Sequence, residues 1–358
     1  MIYEMLEGLR YTHKIAIEAA VVAVLVFALT CLAGKIIIPI LAAKKANQPI
    51  NAYVAEHASK SGTPTMGGIM FIIASLVVML VWAILESCGV LGNNGKTGDL
   101  IPLALTLCLG VGCAMIGFID DYKKLVKKEN EGLSEAHKMI LQIIVAAAYL
   151  AMMGITQNLS TAFKIPFVNM QPIELGFFAY PIYLLVIVGF VNSTNITDGL
   201  DGLASSVGLA SSMGIVLMSI MSVRLFLGIE PVGERYVAVV AATLVGSLLG
   251  FLVFNHYPAK VFMGDTGSLY IGGIIMGCAI ASGEFLAVIL MSFVFVLDML
   301  SSLLQRLYFK ATHGKRLFKK APVHHHFQLV GWKEPKIVIV FFLVSAIFTA
   351  LGVLGAII

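Results

Sequence analysis

The chain has 358 residues, of which 59% are hydrophobic and 12% charged, with 24 Lys and Arg against 20 Asp and Glu and a formal net charge of +4. So little charge excludes a soluble globular domain, about a quarter of whose residues are normally charged. No polar stretch approaches the ~100 residues of an independent domain. Residues 1–358 therefore read as one polytopic membrane domain, all-α in class, and nothing in the chain points to a nucleic-acid partner.

Residues 1–18 are mixed and amphipathic and lack the basic start, short apolar core and small-residue cleavage site of a signal peptide, so the N-terminus is expected to be retained. About ten spans follow, each near the 20 residues that a ~30 Å hydrocarbon core requires. Their expected limits are 19–41, 67–86, 100–119, 138–155, 179–196, 203–222, 236–254, 267–282, 284–305 and 336–357. Between the eighth and ninth, only Ser282, Gly283 and Glu284 mark a break. With the N-terminus outside, the inside segments 42–66, 120–138, 197–202, 255–266 and 306–336 hold about 17 of the 24 Lys and Arg. That asymmetry follows the positive-inside rule, and an even number of spans returns the C-terminus to the outside. On the outer side, 87–99 is a Gly/Asn-rich turn region, and 156–178, with Pro166 and Pro172, is expected to form a small hairpin. The five cysteines are scattered without CxxC spacing, which suggests neither a disulfide framework nor a zinc site.

Only seven aspartates occur, and five of them, Asp120, Asp121, Asp198, Asp201 and Asp265, fall at the inside ends of spans. Solubility does not require such clustering. Polar groups at that depth are expensive and usually functional. In GFIDDYKKLVKK (117–128) the adjacent carboxylates repel unless a cation lies near them. A hard divalent ion with oxygen ligands, Mg2+ first among them, relieves that repulsion. Lys123 and Lys124 can attract phosphate, whereas Lys127 and Lys128 read as a basic segment touching anionic lipid. In NSTNITDGLDGLA (192–204) the pairs Asn192/Asn195 and Asp198/Asp201 are each three apart. Each pair would share a face if the helix ran through. In FNHYPAKVFMGDTGSLYIGG (254–273), Asp265 lies between glycines at a helix start suited to phosphate. Phe262 offers either a stacking face or an anchor in the membrane interface. In KRLFKKAPVHHHFQLVGWKEPK (315–336), consecutive helical side chains point about 100° apart, so three histidines do not easily share one metal. Histidine near phosphate, or an amphipathic surface helix, is the better reading.

These elements, with TPTMGG (63–68), resemble the phospho-N-acetylmuramoyl-pentapeptide transferase family in order and spacing along essentially the whole chain. DD and DGLDG are shared with the wider superfamily of polyprenyl-phosphate N-acetylhexosamine-1-phosphate transferases. TPTMGG and the histidines point to the muramoyl-pentapeptide branch. The resemblance implies transfer of phospho-MurNAc-pentapeptide from UDP-MurNAc-pentapeptide to undecaprenyl phosphate, giving lipid I and UMP with Mg2+. It also implies ten helices in the lipid bilayer of the bacterial inner membrane, a cytoplasmic cleft, a broken ninth helix and a homodimer. Within it, Asp265 and then Asp121 are the expected metal ligands, and Asp120 orients or deprotonates the lipid phosphate. A covalent aspartyl-phosphate route stays open.

Further site residues follow from the resemblance. Asn192, Asn195, Asp198, Asp201 and Asn255 are expected around the nucleotide, with Phe262 on the uracil. Lys60, Thr65, Lys124 and Lys138 are expected at phosphate or orienting the acids. His324, His325 and His326, joined by Gln305, are expected to line the sugar or phosphate side. Gln328 stands where many relatives carry Glu, so no ionic role is expected of it. Asp298, mid-span, reads as a buried packing acid or part of the cleft wall. A sister enzyme moving GlcNAc-1-phosphate is the nearest rival; a cation-coupled transporter would need its acids near mid-bilayer.

Overall fold

The computed structural model describes residues 2–43, 62–91, 100–127, 132–168, 170–225 and 232–358. Helices dominate, as they must where lipid offers the backbone no hydrogen bonds. In chain order they are α1 (Ile2–Ala43), α2 (Gly68–Ser87), α3 (Leu100–Lys127), α4 (Glu135–Ile155), α5 (Ala179–Thr197), α6 (Leu203–Leu225), α7 (Val232–Asn255), α8 (Gly264–Ala281), α9 (Phe285–Met291), α10 (Phe293–Ala311), α11 (Val323–Val330) and α12 (Glu334–Ile357). The expected outer hairpin is a two-residue antiparallel pairing, β1 (Ala162–Phe163) with β2 (Ile173–Glu174), Ala162 opposite Glu174.

Among the described residues, eight helices are long and apolar enough to cross a bilayer, and the bent pair α9–α10 brings the number to nine. The remaining expected span, 267–282, is α8. It carries Asp265 and five glycines and meets protein rather than lipid: every residue from Thr266 to Ile280 is buried. α2, α3, α5, α7 and α9 pack around it, while α1 lies outside on α7 and α2, and α12 lies on α6 and α9. The outward rows of these outer helices, such as Ile17, Val21 and Val24 on α1 or Ile339, Leu343 and Ile347 on α12, are exposed and apolar. An apolar outer surface of that extent suits lipid and not water.

The expected break before the ninth span is present, α8 ending at Ala281 and α9 starting at Phe285. A second break follows at Ser292, where the axis turns by 77° between α9 and α10. This is the broken helix that the resemblance implies. α11 ends on Gly331 in the left-handed region (φ 101).

At the end of the bundle away from the acids, Arg235 ties α7 to α1 and α2. It is 1% exposed, and donates to Glu18 at 2.7 and 3.0 Å and to Glu86 at 2.7 and 2.9 Å. Arg235 also stacks 5.3 Å from the Trp82 ring centroid.

Candidate active site

Asp120 and Asp121 lie on the last turns of α3, and Asp265 on the first turn of α8. The two helices approach closely because Gly117 has no side chain; a Cβ there would collide with the Asp265 backbone carbonyl. Oxygens of Asp120, Asp121 and Asp265 lie within 4.8 Å of one another. Asp121 accepts from the start of α8: Asp265 N at 3.2 Å, Thr266 N at 3.0 Å and Thr266 Oγ1 at 2.7 Å. A carboxylate at a helix N-terminus meets unsatisfied N–H groups and the positive end of the helix dipole. Gly264 precedes them with φ +74, and a Cβ there would stand 2.6 Å from Asp121 Oδ2, so position 264 needs glycine on both counts.

Asp120 accepts from Leu133 N at 2.7 Å, and its other oxygen lies 2.6 Å from Lys124 Nζ, one turn along α3. Lys138 Nζ, on α4, is 2.6 Å from Asp265 Oδ2, and Lys124 Nζ is 3.6 Å from the same oxygen. Asn195 Nδ2, on α5, donates to Asp265 Oδ1 at 2.8 Å and to Ser268 Oγ at 2.9 Å. Three carboxyl groups thus face two ammoniums, a formal excess of one negative charge. The donor set is entirely carboxylate oxygen, which fits a hard divalent cation such as Mg2+ rather than zinc. Among the described residues no histidine or cysteine belongs to the group.

The second motif departs from expectation. The helix does not run through it: α5 ends at Thr197 and α6 begins at Leu203. Gly202 takes φ +79, which turns the chain between them. Asp198 and Asp201 therefore do not share a helical face. Asp198 stays near the acid cluster. Desolvation there, with Asp265, Asp121 and Asp201 nearby, pushes its carboxyl well above the usual carboxylate range. Asp201 accepts from Ala259 N at 3.0 Å, while its own N–H donates to Glu334 Oε1 at 2.5 Å. Asn255, expected at the nucleotide, instead spends its amide on protein. It accepts from Gly202 N and Ser205 Oγ, both at 3.1 Å, and donates to Val261 O at 3.0 Å. Asn192 exchanges two bonds with buried Gln142, at 2.7 and 3.3 Å.

The loop before α8 is clamped by the 63–68 motif. Phe262 N donates to Pro64 O at 2.8 Å, and Gly67 N donates to Phe262 O at 2.9 Å. The Phe262 ring stays partly exposed. Thr65 is buried, and its Oγ1 has no hydrogen-bond partner among the described residues. Lys60 lies outside the described residues.

The histidines separate, as their spacing requires. His324 Nδ1 pairs with Asp298 at 2.9 Å, His325 Nδ1 with Gln328 at 2.7 Å, and His326 Nδ1 accepts from Lys319 N at 3.1 Å. His324 is fully buried, so it does not line an open cleft wall. Gln305 likewise turns inward on protein, accepting from Leu317 N at 3.1 Å and Phe318 N at 2.9 Å. Residues that sequence reading passed over include Thr266, Ser268, Gln142 and Glu334. Of these, Thr266 and Ser268 had a signal, since both lie within the MGDTGS run that opens α8.

Comparison with known proteins agrees with this geometry. The family model described as glycosyl transferase family 4 matches residues 103–283, and a phospho-N-acetylmuramoyl-pentapeptide-transferase signature matches 60–72. The first match holds the acids of α3, the 192–204 motif and Asp265, and the second holds Thr65 and the Phe262 clamp. A phospho-N-acetylmuramoyl-pentapeptide-transferase of Staphylococcus aureus (strain bovine RF122 / ET3-1) is 39% identical over 336 residues, covering 93% of this chain and 97% of the relative. Those of strains JH9 and Newman align equally, at 39% over the same share of each chain. With its full-length relatives, its signature and its acid cluster in agreement, the chain belongs to the phospho-N-acetylmuramoyl-pentapeptide transferase family.

Proposed function

We propose that this chain transfers phospho-MurNAc-pentapeptide from UDP-MurNAc-pentapeptide to undecaprenyl phosphate, releasing UMP and forming lipid I. The observation that carries the reading is the convergence of Asp120, Asp121 and Asp265 within 4.8 Å, flanked by Lys124 and Lys138. One P–O bond forms between the lipid phosphate oxygen and the phosphorus bearing the sugar; the bond from that phosphorus to the bridging oxygen breaks, and UMP leaves with the electron pair. One phosphoanhydride replaces another, so catalysis rests on positioning and charge neutralisation.

Asp265 and Asp121 are the groups that would hold Mg2+, which supplies neutralisation of the diphosphate. Asp120, fixed by Leu133 N and Lys124 beside Asp265, is the group we assign to orient the lipid phosphate. Lys124 and Lys138 supply positive charge to the phosphates. Phe262, clamped through its backbone on both sides, offers its ring to the uracil, and Thr65 Oγ1 offers a hydroxyl to phosphate. Asn195 orients Asp265, while Asn255 and Asp201 set the turn that carries Asp198. The Lys and Arg bias supports a cytoplasmic site in the inner membrane with both termini outside. A homodimer rests on the family resemblance alone; crosslinking in membranes tests it.

The experiment is UMP release by purified protein offered UDP-MurNAc-pentapeptide or UDP-GlcNAc with undecaprenyl phosphate, with and without Mg2+. Turnover of the first donor, dependent on Mg2+, is expected; turnover of UDP-GlcNAc alone would replace the reading with the sister activity. Asp265→Asn should lower lipid I formation by at least ~10²-fold, the scale of losing a key electrostatic group.

A further inference from the structure

Asp298 and His324 lie apart from the acid cluster, both fully buried, with His324 Nδ1 2.9 Å from Asp298 Oδ2. Asp298 sits on α10 just past the break at Ser292, and His324 opens α11. The two elements are fixed to each other beside the pair: Val323 N donates to Ser301 Oγ at 2.9 Å, and Ser301 Oγ donates to the Asp298 carbonyl at 2.7 Å. Two buried polar atoms of the pair have no partner among the described residues, Asp298 Oδ1 and His324 Nε2. A buried polar atom without a partner has given up its hydration uncompensated, so the arrangement needs a reason.

His324 Nε2 is aimed at Gly199. A Cβ built there would stand 2.5 Å from Nε2, and the three nearest atoms it meets all belong to this ring. Gly202, with φ +79, needs glycine for its backbone; Gly199 has no such φ, and the ring is what a Cβ there would meet first. The imidazole edge therefore abuts the turn between Asp198 and Asp201, which Asn255, Ala259 and Glu334 also tie.

We propose that Asp298 is a positioning residue that acts through His324: it fixes the ring so that its Nε2 edge braces the turn at Gly199 and holds Asp198 against the acid cluster during transfer. The proposal rests on the activity given above. It couples the bent α9–α10 pair to the nucleotide turn, and it gives Asp298 a role that packing alone does not.

The test is steady-state kinetics of the full-length purified chain with UDP-MurNAc-pentapeptide and undecaprenyl phosphate, together with thermal unfolding. The variants are Asp298→Asn, His324→Gln and their double. Each single variant should lower kcat roughly 10–100-fold, the scale of losing an orienting partner. The KM for the nucleotide donor should stay within about threefold, because the other ties of the turn survive. The unfolding temperature should hold, and the double should lose no more than the worse single, because the two act as one unit. Gly199→Ala should reproduce the kcat loss and should add nothing in a His324→Ala background. Multiplicative losses in the double, a normal kcat in Asp298→Asn, or a kcat loss that tracks lost stability would overturn the proposal. If Asp298→Asn does not fold, the Gly199 and His324 cycle decides alone. Wild-type turnover of UDP-GlcNAc only would overturn the activity reading but not this one, and the same cycle is then read on that donor.

Discussion

Lys138→Met keeps the length of the side chain and deletes its charge. In the structure Nζ lies 2.6 Å from Asp265 Oδ2 and 3.4 Å from Asn195 Oδ1. Two unit charges ~4 Å apart attract by about 4 kcal/mol at an effective dielectric of about 20, and removing one partner of a buried pair costs about 3–5 kcal/mol. Asp265 keeps Lys124 at 3.6 Å and Asn195 at 2.8 Å, so the lower end of that range applies. Two consequences should run in opposite directions. Turnover should fall about 10²-fold, because a cation aimed at the phosphates is gone. Divalent-metal affinity should rise at least about tenfold, because about 1.4 kcal/mol of the lost repulsion and competition suffices for that. Mn2+ titration followed by electron paramagnetic resonance at fixed ionic strength, beside UMP release, reads both. Metal affinity that falls together with turnover would refute the reasoning: Lys138 would then be shaping the acid cluster and not competing for it.

Other expectations follow from the same geometry. Phe262→Ala should raise the KM for the nucleotide donor more than it lowers kcat, and an unchanged KM would return the ring to a role as membrane-interface anchor. Asp198 carries a raised pKa, so the folded chain holds its proton more tightly than the unfolded chain. That contribution is complete below the ordinary carboxylate range and is lost as pH rises through the folded value. Thermal unfolding without metal should therefore show wild-type stability declining over that window, and Asp198→Asn should flatten the decline. Arg235→Met removes the cation shared by Glu18 and Glu86; Lys14 stays 4.0 Å from Glu18 and the Tyr236 hydroxyl 3.4 Å from Glu86, so the cost should fall at the lower end of about 3–5 kcal/mol. Adding Glu18→Gln and Glu86→Gln should recover much of that loss in a detergent melt, while the KM of each substrate stays unchanged throughout.

The acid cluster was legible because polar groups at span ends are costly and seven aspartates are few enough to locate. Asp120, Asp121 and Asp265 do meet, and Lys124 could be paired with Asp120 from helical spacing alone. The end of α5 was not legible. The spacing of Asn192, Asn195, Asp198 and Asp201 is helical throughout, but the backbone leaves the helix at Asp198, with ψ 46, and Gly202 turns it with a left-handed φ. α8 reads as a span like the others because hydropathy does not record what surrounds a helix; its glycines are the available sign of close packing. Contacts between distant positions left no local signal. Asp298 with His324, Asn255 with Gly202, and Arg235 with Glu18, separated by 217 residues, emerge only when the helices pack.

If the carboxylates of α3 and α8 gather to share a divalent ion with a diphosphate, nucleotide binding must report that ion. Titrating UDP into the purified wild-type chain should give at least about tenfold tighter binding with Mg2+ than without it, and the difference should vanish in Asp265→Asn. Binding of UDP that ignores Mg2+ in the wild type, or that keeps its full Mg2+ dependence in Asp265→Asn, would contradict the account.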